Sequence, residues 1–355
     1  MLNGVPAFGV CGWSNSGKTT LIEKVAPLLR ANGLKVLVLK HDVHGLQADR
    51  PTKDSDRLFC TGADVLAQAP GEQLLRARRE DAEPGEALRA LSRHYDLVLV
   101  EGYKNLALPK VWLLKDGEAA PPESVGNVLA AIRDVPGRAA VVMTALDRWL
   151  AAQWAATPVC GCILIGGRSS RMGSPKHLLP ADGKTWLERT AGLLGQVVAK
   201  VAIVGPGDVP ARVAEHVRLP DAPDAEGPMA GILAAMRWNP RASWLVVSCD
   251  LPQLSTHALR WLLSSRVPGV WATLPRLADR PAVEPLLAHY DFRARALLEE
   301  LAARGDFSPG HLASSVKVIT PTPPAELASA WVNVNTPAEL VSLGRQSGLH
   351  GAQHG

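Results

Sequence analysis

Residues 12–20, Gly-Trp-Ser-Asn-Ser-Gly-Lys-Thr-Thr, carry a spacing of glycine, lysine and threonine that few folds accommodate. The apolar residues 7–11 predict a strand before this segment, and the residues after it predict a helix ending near Ala31. The glycines let a loop curl around phosphate groups, which accept hydrogen bonds from backbone N–H groups at the helix start. We expect Lys18 to reach the outer phosphates and Thr19 to bind magnesium. A nucleotide-binding strand–loop–helix unit is therefore predicted.

Two later strands bring polar residues to the same edge of the predicted sheet. Residues 33–40 lead into His41 and His44, and residues 96–100 lead into Glu101. Open α/β sheets bind ligands at the carboxyl ends of their strands. Glu101 is thus a candidate to orient the magnesium shell or a water, or simply a carboxylate hydrogen-bonded at a strand end. The two histidines are metal ligands or loop hydrogen-bonders. The nucleotide-binding candidates of this half are Gly12, Asn15, Ser16, Gly17, Lys18, Thr19, Thr20 and Glu101.

A second glycine-rich segment spans residues 162–176, Cys-Ile-Leu-Ile-Gly-Gly-Arg-Ser-Ser-Arg-Met-Gly-Ser-Pro-Lys. Its apolar start predicts a buried strand that ends at two adjacent glycines. Glycines let backbone N–H groups approach a ligand closely, and the following hydroxyl and cations can grip phosphate oxygens as they gain charge. This chemistry predicts a second nucleotide site, formed by Gly166, Gly167, Ser169, Arg171 and Lys176.

Asp250 follows the apolar strand predicted at residues 243–248. A carboxylate at the tip of a buried strand is placed to hold Mg²⁺ bridging a triphosphate, the alternative being a helix N-cap. Residues 221–231 lead into an apolar helix predicted at 232–236, so its N–H groups face a polar loop, unless the Gly-Pro turn is purely structural. Residues 205–207, Gly-Pro-Gly, are a turn or a ligand contact.

The composition is that of an ordinary folded protein. The chain has 355 residues, 47% hydrophobic and 20% charged, a length that predicts roughly two domains. A net charge of +4 is too mild to indicate nucleic acid or an anionic membrane surface as a partner, but suits a polyphosphate substrate. Five cysteines without a Cys-x-x-Cys pair favour a reduced compartment. Without a leader-like start or an apolar run of ~18 residues, we expect a cytoplasmic protein.

An α/β chain of two domains is the organisation that these patterns predict. Further strands are expected at 110–115, 128–132 and 200–204, further helices at 185–198 and 290–303, and a polar loop at 53–57. The expected bounds are 1–143 for the first domain, 144–158 for a helical linker with its helix at 144–156, 159–343 for the second domain, and 344–355 for a disordered tail rich in Gly, Ser, Gln and His.

The first half resembles the adaptor protein of molybdopterin-guanine dinucleotide biosynthesis over residues 4–140. The segments that carry the resemblance are Gly12 to Thr20, Lys40-His-Asp-Val-His44, Lys53-Asp-Ser55, Thr61-Gly-Ala63 and Val100-Glu-Gly-Tyr-Lys104. That family is a P-loop protein that binds GTP, hydrolyses it weakly if at all, and assists its guanylyltransferase partner. It is associated with dimers. The resemblance therefore implies a P-loop NTPase-like sheet domain, GTP as ligand and a homodimer.

The second half resembles the molybdenum cofactor guanylyltransferases over residues 159–343. Residues 164–176 match the L-x-G-G-x-S-x-R-M-G-x-x-K signature, and the segments at 221–232, 249–252 and 333–337 match further family motifs. The resemblance implies a Rossmann-like, three-layer αβα domain that transfers GMP from GTP to Mo-molybdopterin with Mg²⁺. The product would pass to molybdoenzyme apoproteins or molybdenum-insertion proteins.

The resemblance also implies roles for individual residues of the second half. The catalytic candidates are Arg171, Lys176 and Asp250. The GTP-binding candidates are Leu164, Gly166, Gly167, Ser169, Lys176, Asp221, Gly227, Gly231 and Asp250. Arg280, Asn333 and Asn335 are candidates for binding the pterin substrate, and Asp250 and Thr19 for binding metal. Related cytidylyltransferases usually carry Ala-Gly at the Gly166-Gly167 pair, so guanine rather than cytosine is the expected base.

Two other interpretations stay open at this point. The chain could join a P-loop small-molecule kinase to a sugar-1-phosphate nucleotidyltransferase, although the segments around Lys40 and Glu101 speak against this. Alternatively, the first half could be a binding module that delivers cofactor without catalysis.

Overall fold

The structure is a computed structural model that describes residues 6–40, 53–77, 95–166, 175–181, 183–334, 336 and 339. The chain divides into two compact units, Met1–Arg148 and Trp149–Gly355. The predicted tail at 344–355 and the histidines at 41 and 44 lie outside the described residues. In the described part, every helix is too short or too polar to cross a lipid bilayer.

The first unit alternates strands and helices. Its elements are β1 Ala7–Gly12, α1 Lys18–Ala31, β2 Val36–Lys40, α2 Asp54–Cys60, β3 Val65–Ala69, β4 Glu72–Arg76, β5 Leu97–Glu101, β6 Lys110–Leu113 and β7 Val128–Ile132, followed by α3 Arg138–Ala156, which continues into the second unit. The strands named β3 and β4 form an antiparallel hairpin. The other five form a parallel sheet of order β2-β5-β1-β6-β7.

The central position of β1 decides where the first site lies. Its neighbours are β5 on one side and β6 on the other, so the chain adds strands on both sides of β1. Such a switch point opens a crevice at the carboxyl ends of the strands. The loop of residues 12–17 begins at that end, and α1 packs back on the sheet through Leu21, Ile22, Val25 and Leu29. The predicted strand–loop–helix unit is confirmed.

Two expectations for the first unit were wrong in detail. The expected polar loop at 53–57 is mostly helical, since α2 begins at Asp54. Acidic residues in a first turn complement the positive end of the helix dipole, so Asp54 and Asp56 favour a helix start. The helix expected from residue 144 begins at Arg138, directly after Pro136-Gly137, because the intervening residues are compatible with a helix.

The second unit is built on a larger, mixed sheet. Its elements are β8 Val159–Leu164, β9 Pro180–Ala181, β10 Lys184–Thr185, α4 Trp186–Gly195, β11 Lys200–Val204, β12 Val217–Leu219, α5 Gly227–Trp238, β13 Ser243–Ser248, α6 Thr256–Ser264, β14 Ala272–Thr273, β15 Leu287–Tyr290, α7 Ala294–Ala302 and β16 Val318–Ile319, with short 3₁₀ turns at Lys176–Leu178, Ala211–Val213, Pro309–Ser314 and Ala325–Trp331.

Helices cover both faces of this sheet, whose order is β12-β11-β8-β13-β15-β14-β16. Side chains alternate along a strand, so Trp244 and Val246 of β13 pack in one core with α5 and α7, while Leu245 and Val247 pack in the other with α4 and α6. The fold is therefore α/β with three layers, as predicted. The strands β8, β11 and β13 are mutually parallel, so their carboxyl ends lie at one edge.

Two helix starts in the second unit differ from the expectation. Tyr290 does not begin a helix; it ends β15, which pairs antiparallel with β13, and α7 begins at Ala294. The four-residue run of β15 is too short for a period to show, and pairing with β13 decides its state. The helix expected at 232 begins at Gly227, since Pro228 in its first turn is preorganised for helix.

Candidate functional site

The loop after β1 has the backbone that a phosphate-binding loop requires. Gly12, Asn15 and Gly17 have φ angles of 153°, 61° and 78°. A Cβ added to Gly12 would lie 2.8 Å from the carbonyl oxygen of Leu113, so no other residue fits there without a shift of the backbone. Gly17 immediately precedes the first residue of α1. The loop therefore leads directly into the N-terminus of α1, where an anion is favoured.

Four predicted side chains of the first unit lie at this loop. Lys18 Nζ donates to the carbonyl oxygen of Trp13 at 2.7 Å, and Thr19 Oγ1 donates to Glu101 Oε1 at 2.8 Å. Burial lowers the pKa of Lys18 below its ordinary value. The hydroxyl of Ser16 is buried and has no hydrogen-bond partner among the described residues. A buried, unpaired donor beside Lys18 fits a loop that binds an anion.

Arg138 also contacts this loop and was not among the sequence candidates. Its Nη2 donates to the carbonyl oxygen of Gly17 at 3.4 Å, and its Nη1 pairs with Asp134 Oδ1 at 2.9 Å. Arg138 follows β7, whose carboxyl end lies at the same edge as the ends of β1 and β5. The rule that singled out Glu101, polar residues after parallel strands, could have found Arg138 as well.

Trp13 anchors the other end of the loop. Its indole Nε1 donates to Glu118 Oε1 at 3.1 Å, and Trp112 Nε1 donates to the same oxygen at 3.1 Å. The Trp13 and Trp112 rings meet edge to face at 5.8 Å, and Lys104 Nζ lies 4.4 Å from the centre of the Trp13 ring. Hydrogen bonds and ring contacts thus tie the loop to β6 and the turn that follows it.

The second site is a cleft of about 510 Å³ at the carboxyl ends of β8, β11 and β13. Small-molecule sites commonly have volumes of this order. The structure brings together the predicted GTP-binding residues that it describes. Those lining the cleft are Leu164, Gly166, Lys176, Asp221, Gly227, Gly231 and Asp250. Gly167, Ser169 and Arg171 lie outside the described residues.

Lys176 and Asp250 form an ion pair inside the cleft. Lys176 Nζ lies 2.8 Å from Asp250 Oδ2, and the two side chains are only 18% and 16% exposed. The other carboxylate oxygen, Oδ1, accepts a hydrogen bond from the hydroxyl of Ser248. The carbonyl oxygen of Asp250 accepts from the backbone N–H of Val334 at 3.0 Å. Ser248 was not a sequence candidate, since a serine at a strand end has no motif of its own.

Close backbone approaches shape the walls of the cleft. A Cβ added to Gly205 would lie 1.8 Å from the carbonyl oxygen of Ile165, so this position requires glycine. The next residue, Pro206, lines the cleft, which places one of the Gly-Pro-Gly residues at the site. Gly231 also lines the cleft, and a Cβ added to it would lie 2.5 Å from Leu164 Cδ2 and 3.4 Å from Asp221 Oδ1.

Burial raises the pKa of two other groups that line the cleft, Asp221 and Cys249. Desolvation by burial raises the pKa of Asp221 above its ordinary value. Burial, and next the charge of Asp250, raises the pKa of Cys249 to about 12. Burial therefore favours the neutral thiol of Cys249 near neutral pH.

The candidates for pterin binding are not gathered in this cleft. Arg280 does not line it, and its Nη1 lies 3.5 Å from Glu284 Oε1. Asn333 is exposed and also absent from the lining, although its neighbour Val334 donates to the Asp250 carbonyl. Asn335 lies outside the described residues.

The oxygen donors at both sites fit magnesium. Mg²⁺ is usually held by one or two carboxylates together with substrate phosphates and waters. Asp250 offers a carboxylate in one cleft, and Thr19 with Glu101 offers a hydroxyl and a carboxylate in the other. Within the described ranges, no group of three or more His, Cys, Asp or Glu side chains could hold a metal ion by itself. A Mg²⁺ ion bound at either site would therefore take its remaining ligands from nucleotide phosphates and waters.

Comparisons with known proteins match the two halves of the chain to two different families. Residues 7–134 match the family model of molybdopterin guanine dinucleotide synthesis protein B, and residues 161–314 match that of the MobA-like NTP transferase domain. Over 142 residues, the chain is 37% identical to the molybdopterin-guanine dinucleotide biosynthesis adapter protein of Haemophilus influenzae, covering 38% of this chain and 79% of that protein. Over 188 residues, it is 30% identical to the probable molybdenum cofactor guanylyltransferase of Bacillus cereus, covering 51% of this chain and 93% of that protein.

A similar solved structure is that of molybdopterin-guanine dinucleotide biosynthesis protein A from Archaeoglobus fulgidus, with 24% identity, a TM-score of 0.44, and coverage of 52% of this chain and 95% of that one. The two family matches lie one in each half of the chain and do not overlap. The chain therefore belongs to the molybdopterin guanine dinucleotide synthesis protein B family in its first half and to the MobA-like NTP transferase family in its second, and is a fusion of the two.

Proposed function

We propose that the chain transfers GMP from GTP to Mo-molybdopterin, giving Mo-molybdopterin guanine dinucleotide and pyrophosphate, while its first unit binds GTP as a fused adaptor. The observation that carries this proposal is the Lys176–Asp250 pair in the cleft of the second unit. A cation for phosphate oxygens and a carboxylate for a metal ion lie together there, in a cleft that Gly166 of the transferase motif also lines.

The transfer needs positioning and charge neutralisation more than covalent chemistry. The terminal phosphate of the pterin would attack the α-phosphorus of GTP in line, forming a P–O bond as the bond to pyrophosphate breaks. A phosphate nucleophile is already ionised near neutral pH, so no general base is required. Lys176, with Arg171, would hold the phosphate oxygens as negative charge moves toward the leaving pyrophosphate. Backbone N–H groups of Gly166 and Gly167 and the hydroxyl of Ser169 would donate to the same oxygens.

Mg²⁺, when bound, neutralises charge on the triphosphate and aligns the leaving group. In the cleft of the second unit, Asp250 would hold it. In the first unit, Thr19 would be its ligand, and Glu101, which accepts the Thr19 hydroxyl proton in a hydrogen bond, would orient its shell. Lys18 would contact the outer phosphates of the GTP bound there.

The remaining parts of the proposal rest on the family resemblance. Arg280, Asn333 and Asn335 would bind the pterin substrate. The product would pass to molybdoenzyme apoproteins or molybdenum-insertion proteins, and the chain would act in the cytoplasm as a homodimer. The functional domains would span 1–143 and 159–343.

One experiment tests the central proposal. The full chain is incubated with Mo-molybdopterin, Mg²⁺ and either GTP, CTP or ATP, and the pterin product is identified by mass. We expect the guanine dinucleotide from GTP only. A product formed equally well from CTP would remove the base assignment. In a parallel incubation with a sugar-1-phosphate in place of Mo-molybdopterin, formation of a nucleoside-diphosphate sugar would favour a different transferase.

Two variants separate the roles of the units. Lys176→Ala should lower the rate of dinucleotide formation by about 10²–10³ or more, because it removes a cation from the transferase cleft. Lys18→Ala should remove GTP binding by the first unit and leave basal transfer in place. The reverse result, with transfer lost in Lys18→Ala and intact in Lys176→Ala, would show that the two sites have been assigned the wrong roles.

A further inference from the structure

Ser248 is placed to control how the carboxylate of Asp250 is presented to a ligand. It is the last residue of β13, two positions before Asp250. Its hydroxyl donates to Asp250 Oδ1, whereas Lys176 Nζ pairs with Oδ2 at 2.8 Å. The two oxygens of one carboxylate therefore have different partners, one neutral and one charged.

The backbone on both sides of this contact is held in place. The N–H of Ser248 donates to the carbonyl oxygen of Leu286 at 2.7 Å, and the N–H of Val334 donates to that of Asp250 at 3.0 Å. With the backbone restrained, rotation of the carboxylate is the main freedom left to the Asp250 side chain. A hydrogen bond from Ser248 to one oxygen restricts that rotation.

The chemical consequence concerns metal binding. The Ser248 hydroxyl occupies one lone pair of Oδ1 and fixes the plane of the carboxylate. When Lys176 turns to the phosphate oxygens, as the proposed function requires, Oδ2 is the oxygen left open to a metal ion. Hydrogen bonds from such supporting residues orient a metal ligand, and their loss typically weakens metal binding about 10–100-fold. We propose that Ser248 is a positioning residue that directs Asp250 Oδ2 toward the magnesium ion of the bound nucleotide. This inference rests on the proposed function, since it assumes a metal–nucleotide complex in the cleft.

The strand that carries Ser248 also supplies a matched control. Ser243, the first residue of β13, is buried like much of the strand, and its hydroxyl has no hydrogen-bond partner among the residues that the structure describes. Ser243→Ala and Ser248→Ala thus remove the same atom from the same strand. Only the second removes a contact with Asp250.

The test measures Mn²⁺ binding by electron paramagnetic resonance, with Mn²⁺ as a stand-in for Mg²⁺ and a non-hydrolysable GTP analogue present. The full chain carries Lys18→Ala throughout, so that binding by the first unit does not contribute. We expect Ser248→Ala to weaken Mn²⁺ binding about tenfold or more. Ser248→Thr, which keeps a hydroxyl, should restore most of it, and Ser243→Ala should leave it unchanged. Binding of the analogue in EDTA should be the same in all variants.

Two results would overturn the inference. Unchanged Mn²⁺ affinity in Ser248→Ala would show that the hydroxyl does not orient the carboxylate. If Ser248→Ala weakened binding of the analogue in EDTA as much as it weakened Mn²⁺ binding, the substitution would be acting on the whole cleft rather than on the metal ligand. Because the measurement needs no pterin, absence of GMP transfer in the unaltered chain would count against the proposed function alone. Absence of analogue binding in the Lys18→Ala protein would remove both.

Discussion

Replacing Lys176 by methionine should separate two opposing effects of its charge. Methionine keeps most of the aliphatic length and removes the ammonium group, which lies 2.8 Å from Asp250 Oδ2. At an effective dielectric constant of about 20, unit charges at that separation attract by about 6 kcal/mol before desolvation is counted. This attraction competes with any metal ion for Asp250. Its loss should therefore leave metal binding unchanged or strengthen it.

The same replacement removes a cation from the reacting phosphates. Loss of one preorganised donor to developing charge typically costs about 10²–10³ in kcat, or roughly 2.7–4 kcal/mol. We therefore expect kcat for pyrophosphate release to fall by about this factor, while the Mg²⁺ concentration giving half-maximal rate stays the same or falls. A residue that served only to hold Asp250 in place would lower the rate and raise the Mg²⁺ requirement together.

The assay is steady-state pyrophosphate release from GTP and Mo-molybdopterin over a series of Mg²⁺ concentrations. Lys200→Met provides the control, since Lys200 is an exposed residue of β11 that does not line the cleft. A fall in kcat of less than about threefold for Lys176→Met would refute the role of its charge on the phosphates, and so would a Mg²⁺ requirement that rises about tenfold as the rate falls.

Two further changes have defined outcomes. Arg138→Ala should weaken GTP binding at the phosphate loop roughly tenfold, because a charged hydrogen bond to the loop carbonyl is lost. Calorimetry should show no such change for the control Arg133→Ala, which alters an exposed residue. Equal GTP affinities for Arg138→Ala and the unaltered chain would contradict the role of Arg138. Burial, with the charges of Arg266 and Arg293, holds the pKa of His289 well below its ordinary value of 6.5. The unfolded chain therefore gains a proton that the folded chain excludes, so stability is lost as pH falls below about 6.5, by up to about 1.4 kcal/mol per pH unit. In His289→Gln, whose side chain does not titrate, the melting temperature should fall less as the pH is lowered. An unchanged slope would show that His289 does not cause this loss of stability.

Local patterns were sufficient for the phosphate-loop region. The strand β1, the loop and α1 were all predicted, because residues 12–20 contain the glycines, lysine and threonine that this turn requires. One error occurred where a short segment depends on a distant partner: Tyr290 ends a strand because β13 pairs with it. Another was local, since the acidic first turn of α2 belongs to a segment that looked like a solvated loop.

The candidate sites divide in the same way. Lys176 and Asp250 stand 74 positions apart, and motifs predicted that both belong to one site. Their direct ion pair was not predicted, because each was expected to contact a different part of the ligand. Ser248 was missed because it has no motif and its contact with Asp250 is visible only in the fold, whereas Arg138 could have been found by the rule that singled out Glu101.

The sequence by itself determined the fold class and the phosphate loop of the first unit, and it predicted the chemically active residues, because these depend on residue type and on spacing within a few turns of chain. The tertiary structure decided which of those residues meet. Parallel pairing of β8 with β11 and β13 brings three strand ends to one edge, and this pairing places Asp250 between the Lys176 cation and the Ser248 hydroxyl. Contacts of this kind depend on sheet order and register, which are set by the packing of the whole domain rather than by any local segment.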